Sequence, residues 1–151
     1  MPMIQTSYDL TPAKGIVGRR QNMEEWNGFT GHPTASGVVG AAYPVQDAGV
    51  GEQITIFTSG NFRGITEADT FGLSGDFYER GFNVPVLESG VIFGLAVAAC
   101  TKRTPVYWNA SLKGYQSASS GGTLIPGAEF DDTEVAGNPV AIRLRRQVPA
   151  A

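Results

Sequence analysis

The sequence predicts an all-β chain: a single-domain β-sandwich of jelly-roll-like type, with long loops and an extended N-terminal arm. Three observations support this. The 20 glycines and 9 prolines in 151 residues are spread between short apolar runs, which favours many turns and short strands over long helices. Several runs alternate apolar and polar residues with the period of a strand, most plainly Val140, Ile142 and Leu144 against Ala141, Arg143 and Arg145. No strand–helix–strand rhythm accompanies them, so the short strands belong to a sandwich or barrel.

The length fits one structural domain, able to bury roughly 70% of the surface its unfolded form exposes. Within it, residues 1–35 read as an N-terminal arm and loop-rich segment, and residues 36–151 as the β-sandwich domain. Met1 to Ser7 is an extended arm with Ile4 as its apolar anchor, and Pro12 to Arg20 is rich in turns. Asn22 to Trp26 has room for one helical turn before Gly28, Gly31 and Pro33 stop it, and Thr30 to Gly37 is a loop.

Strands begin at Val38 to Val45, where Pro44 marks an edge or a strand end. Gln53 to Thr58 alternates, with Ile54 and Ile56 set against Gln53, Thr55 and Phe57. Ser59-Gly60-Asn61 is a turn signal that makes Phe62 to Ile65 the second arm of a hairpin. Thr66 to Phe82 is a glycine-containing excursion whose Phe71, Phe77 and Tyr78 should pack. Val84 to Leu87 and Val91 to Ala98 are strong strand candidates, separated at Glu88-Ser89-Gly90 by a tight turn or a bulge. Further strands follow at Val106, around Leu112 to Tyr115, at Glu129 to Phe130 and at Val140 to Leu144. Tyr107 and Trp108 are neighbours on one strand and point to opposite faces, one to the core and one outward.

The net charge of −3 argues against a dedicated nucleic-acid binder. The N-terminus lacks the basic start and apolar core of a secretory signal, and no run reaches transmembrane length, so a soluble protein without membrane contact is expected. A lone cysteine, Cys100, excludes an internal disulfide and reads as a small buried apolar residue made in a reducing cytosol.

Catalytic and cofactor chemistry finds no support. One histidine (His32, expected in an exposed loop) and one cysteine cannot furnish an ordinary zinc site. No Gly-x-Ser-x-Gly elbow accompanies His32, and no phosphate-binding glycine loop is present. Asp131-Asp132-Thr133-Glu134 is the densest carboxylate group, without the spacing of a calcium loop, and reads as a solvated turn. No cofactor and no catalysed reaction are expected. Trp26 and Phe29 lie where no strand pattern obliges burial, and exposed aromatics of that kind anchor partners.

Taken in order, the segments resemble the small capsid cement, or decoration, proteins of tailed bacteriophages. The likeness rests on Pro12 to Gly18 (PAKGIVG), the small-residue run Gly37 to Val45, and Gly75 to Leu87 (GDFYERGFNVPVL) leading into Gly90-Val91-Ile92. It continues through Pro126 to Phe130 (PGAEF) and Ala136 to Leu144 (AGNPVAIRL). Thr66 to Ser74 departs from the pattern, being longer and more aromatic. The resemblance implies a non-enzymatic virion protein on the outer surface of a phage head, made in the host bacterial cytoplasm. Its partners would be the major capsid protein, whose neighbouring subunits it bridges, and itself as a dimer or trimer. On that reading Met3, Ile4 and Gln5 reach a neighbour as an arm, Trp26 and Phe29 anchor in a groove, and Arg143, Arg145 and Arg146 pair with acidic loops. The alternatives are a head-completion or tail protein, or a carbohydrate-binding module stacking sugars on Tyr107 or Trp108.

Overall fold

The computed structural model describes residues 15–21, 25–69, 73–74 and 76–146. Among these there are eleven strands and no helix, so the all-β expectation holds. The strands are β1 (Asn27–Pro33), β2 (Pro44–Asp47), β3 (Gln53–Ile56), β4 (Phe62–Thr66), β5 (Leu73–Ser74), β6 (Phe77–Tyr78), β7 (Val84–Leu95), β8 (Pro105–Asn109), β9 (Gly114–Gln116), β10 (Thr123–Phe130) and β11 (Pro139–Leu144).

Nine of them form one sheet in the order β1-β3-β2-β4-β7-β11-β10-β8-β9, and β1 also pairs with β7. That extra pairing closes β1-β3-β2-β4-β7 into a five-stranded barrel. The second limb curls in the same way. After β7 the chain meets the outer edge of β9, where Ala96 bridges Tyr115 in parallel and Val97 N–H donates to Tyr115 O at 3.1 Å. What the pairing establishes is the all-β class with barrel-like closure, in which little edge is left unpaired.

β7 is common to both limbs. Its Val84–Ser89 half pairs with β1 and β4, and its Gly90–Leu95 half pairs with β11. Between the halves, Asn27 pairs with Ser89 but Gly28 with Leu87, so Glu88 is an extra, bulged residue. Gly90 follows at φ 127°, a conformation other residues rarely adopt, and a Cβ there would lie 3.1 Å from Trp26 Cβ. Of the two forms expected at Glu88–Gly90, the bulge is the one found, within a continuous 12-residue strand.

The register fixes what the barrel encloses. Phe29 pairs with Val86, Gly31 with Val84, Thr66 with Val86, Val45 with Gly64, and Asp47 with Ile54. Paired residues share a sheet face, so all of these point to one side, the interior. Val45, Ile54, Thr66 and Val84 there are fully buried. Ile65 and Leu87 face the other way and are equally buried, in a core cluster that continues through Ile92, Ile142, Phe130, Trp108 and Tyr115 of the second limb. Tyr115 ties the two limbs: its hydroxyl donates to Ala42 O at 2.7 Å, and Trp108 lies between the rings of Tyr115 and Tyr43 at 5.0 Å from each.

Several expectations are corrected. Thr30 to Gly37 is not a loop throughout, because Asn27–Pro33 is barrel strand β1 inside the segment expected as arm and loops. Its glycines serve close packing: a Cβ on Gly31 would come within 2.8 Å of Ile54 Cδ1. His32 is therefore a half-buried strand residue, its N–H donating to Glu52 O at 2.9 Å. β3 and β4 do not form a hairpin, since β2 lies between them and pairs with both. Glu25 and Trp26 are not helical, and residues 22–24 and Phe71 lie outside the described residues. Ala141, expected on a solvated face, is fully buried. Trp108 is 1% exposed, which removes it as a sugar-stacking platform.

Candidate partner interface

Met3, Ile4 and Gln5 lie outside the described residues. Of the other expected contact residues, Trp26, Phe29, Arg145 and Arg146, from opposite ends of the sequence, converge on the β7 bulge, whereas Arg143 does not. Glu88 Oε2 accepts from Asn27 Nδ2 at 3.4 Å and pairs with Arg146 Nε at 3.8 Å, while Glu88 Oε1 pairs with Arg63 NH2 at 3.5 Å. Asn27 adjoins Trp26, and Arg63 covers Phe29, its guanidinium 4.0 Å from the ring centre. The aromatic pair thus shares one region with Arg145 and Arg146.

Arg63 is central to this region. It is the extra residue of a second bulge, because Val45 pairs with Gly64 but Gln46 with Phe62. Its guanidinium also bonds Asp47 Oδ1 at 2.6 Å and Glu52 Oε2 at 3.3 Å. Phe29, Asp47, Arg63 and Glu88 come from four barrel strands, and Glu52 immediately precedes the fifth. Together they ring one mouth of the barrel. Burial alone would lower the Arg63 pKa; the hydrogen bond and charge of Asp47, with Glu52 and Glu88, outweigh it and raise it. A surface cleft of ≈ 240 Å³ opens beside the ring, lined by Asp47, Phe62, Arg63, Glu88, Arg145 and Arg146.

Trp26 and Phe29 are not equivalent. Trp26 is 50% exposed, with the Arg20 guanidinium stacked 3.8 Å from its ring and Arg20 held in turn by Glu67 at 3.2 Å. Burial pushes the Glu67 carboxyl up, against the lowering effect of Arg20 and Arg19. Phe29 packs against the core beneath Arg63. The arginines divide in the same way. Arg143 is bound by Asp131 through two contacts, Nε to Oδ1 at 3.4 Å and NH2 to Oδ2 at 3.2 Å. Arg145 and Arg146 project outward, Arg145 meeting Glu129 at 3.6 Å.

Sequence reasoning missed Arg63, Glu88 and Glu129. Each is a lone charge within an otherwise apolar strand, and that interruption was the available signal. Cys100 is buried as expected. Burial, reinforced by the nearby Glu134 charge, pushes its thiol up to about 11. Among the described residues no cluster of His, Cys, Asp and Glu suits a metal ion.

A family model described as Structural cement protein (E217 gp24/Pam3 gp6) matches residues 4–145, a span that takes in both limbs and all of the bulge region but Arg146. The chain belongs to this cement family. No curated protein matches it. A chain of the solved structure "The capsid of Myoviridae Phage XM1" is similar at TM-score 0.70 and 18% identity, over 93% of this chain and 96% of that one. At that identity the likeness speaks for the fold: the cement-family chain and its structural neighbour share the architecture over nearly their whole lengths.

Proposed function

We propose that this chain is a non-enzymatic virion protein that sits on the outside of a phage head and stabilises it by bridging neighbouring major capsid subunits. The observation that carries this reading is the cement-family match across residues 4–145. The physical logic suits the molecule. A protein that binds only the assembled lattice stabilises it by mass action, and many copies multiply a modest contact through avidity. The bulge region supplies an exposed aromatic, Trp26, beside the outward arginines Arg145 and Arg146. On this reading the arm at Met3, Ile4 and Gln5 reaches a neighbour, and the protein works as a dimer or trimer on a symmetry axis of the shell.

The test is co-sedimentation of the purified protein with mature heads stripped of accessory proteins. Saturable binding at a stoichiometry comparable to the major capsid protein, with heads that survive hotter or lower-salt conditions, supports the cement role. A handful of copies per head moves the reading to a head-completion or tail protein. Absence of binding overturns it.

A further inference from the structure

The chain carries a single Asn–Gly step, Asn27-Gly28, and the fold sets it at the start of β1 beside the β7 bulge. Asn27 is exposed, and its Nδ2 donates to Glu88 Oε2 at 3.4 Å. An asparagine loses its side-chain amide when the backbone nitrogen of the next residue reaches its Cγ. The step is fastest before glycine, whose nitrogen no Cβ shields. The other asparagines among the described residues are worse placed. Asn138 precedes Pro139, which has no N–H to give up, and Asn109 Oδ1 is held by the N–H groups of Ser111 and Leu112. Asn61 and Asn83 precede the bulkier Phe62 and Val84.

The strand register leaves the attacking nitrogen outside the β1–β7 ladder. Along a strand, hydrogen-bonding groups of successive residues point to alternate sides. His32 N–H donates to Glu52 O on the β3 side, so Thr30 and Gly28, of the same parity, turn that way too. β7 fixes the same phase. Pro85, opposite Thr30, has no N–H, and its carbonyl accepts from Glu67 N–H at 2.8 Å. Leu87, opposite Gly28, shares the parity of Pro85 and pairs with Ile65 of β4. On the other side of β1, pairing with β3 begins only at His32, four residues past Gly28. What opposes the reaction is the pairing of Asn27 with Ser89, the last and irregular pair of the ladder, and terminal pairs open at small cost. The fold also requires the glycine, because a Cβ on Gly28 would lie 2.6 Å from Val86 O.

We propose that Asn27 is a site of spontaneous modification in the folded protein, deamidated through a cyclic imide with Gly28, so that a carboxylate replaces the amide beside Glu88. Gly28 N bonds to Asn27 Cγ, the Cγ–Nδ2 bond breaks, and ammonia departs with the proton that Gly28 N gives up. Water then opens the imide at either carbonyl, leaving aspartate or isoaspartate at position 27. A hydrogen bond to Glu88 is thereby exchanged for two like charges, in a region where Arg63 already serves Asp47, Glu52 and Glu88. The modification does not rest on the proposed cement role.

The experiment ages the purified full chain at neutral and mildly alkaline pH, with a parallel sample held unfolded in urea, and follows the peptides by mass spectrometry. In the folded sample the peptide spanning Asn27-Gly28 should exchange amide for acid before those carrying Asn61, Asn83 and Asn109, and faster at the higher pH. Asn27→Gln should abolish the change, since the longer side chain must close a larger ring. An amide kept at position 27 in the folded sample refutes the proposal, and its loss from the unfolded sample alone would show that the fold protects Asn27. Asn27→Asp installs the charge directly and should melt about 2–4 °C below wild type, with a gap that added salt narrows. Asn27→Asp melting like wild type at low salt would overturn the placement of the new carboxylate against Glu88.

Discussion

Arg63 sits over Phe29, its guanidinium 4.0 Å from the ring centre, while the same group bonds Asp47 at 2.6 Å and pairs with Glu52 and Glu88. One cation thus bridges three carboxylates at the barrel mouth. Arg63→Ala leaves those carboxylates facing one another and uncovers the ring. The expected loss is about 1–2 kcal/mol, in keeping with the removal of the shared partner from a partly exposed charge cluster. Urea unfolding checks it, and Arg63→Lys should recover only part of the loss because an ammonium cannot present the same planar fork.

Gly90 is the second point on which the β7 geometry depends. At φ 127°, with Trp26 Cβ 3.1 Å from the position of an added Cβ, Gly90→Ala meets backbone strain and a tight contact that Trp26 must yield to. A destabilisation of about 1–3 kcal/mol is expected. The emission of Trp26 should shift along with the lower unfolding midpoint, since the indole is displaced from Arg20.

Trp26 and Phe29 should separate binding from stability. Trp26→Ala removes a half-exposed ring, so head binding should fall while the melting temperature changes little. Phe29→Ala removes a ring packed against the core beneath Arg63 and should cost about 2–4 kcal/mol of stability. Equal effects of both variants on head binding, at equal stability, would contradict this division.

Alkaline pH should weaken the fold in a predictable window. Burial, with the Glu134 charge, raises the Cys100 thiol from 9.0 to about 11, and burial raises the Tyr78 hydroxyl from 10.0 to about 12. Both groups hold their protons more tightly folded than unfolded. Their contribution is therefore fully present below pH 9 and is lost as pH rises through about 11 to 12. For Cys100 alone this is about 2–3 kcal/mol across the window. Cys100→Ala should remove the portion beginning near pH 9. Alkylation of the native thiol at pH 8 should proceed no faster than unfolding.

Deleting Met1 to Ser7 tests the arm. Loss of head binding without loss of stability is the expected result. Unchanged binding would remove Met3, Ile4 and Gln5 from the interface and leave the bulge region as the contact.

Legibility in the sequence followed the range of the interactions. β11 and the Tyr107–Trp108 strand were readable because period-two alternation is a local consequence of pleating. β1 was hidden because two glycines and a proline in NGFTGHP look like a loop; only the approach of Ile54 shows why glycine is needed. The β3–β4 hairpin was misplaced because a turn between two strands signals proximity, while the strand that inserts between them, β2, comes from earlier in the chain. Arg143 was not separated from Arg145 and Arg146, because its Asp131 partner lies just past the end of another strand, β10.

The sequence by itself determined the all-β class, the family likeness, the burial of Cys100 and the presence of a basic C-terminal strand, since these depend on composition and on patterns a few residues long. The tertiary structure alone decided that β7 serves both limbs and that Trp26, Glu88 and Arg146 share one surface. Those relationships join residues up to more than a hundred positions apart. They depend on strand register across the sheet, which no local pattern of side chains encodes.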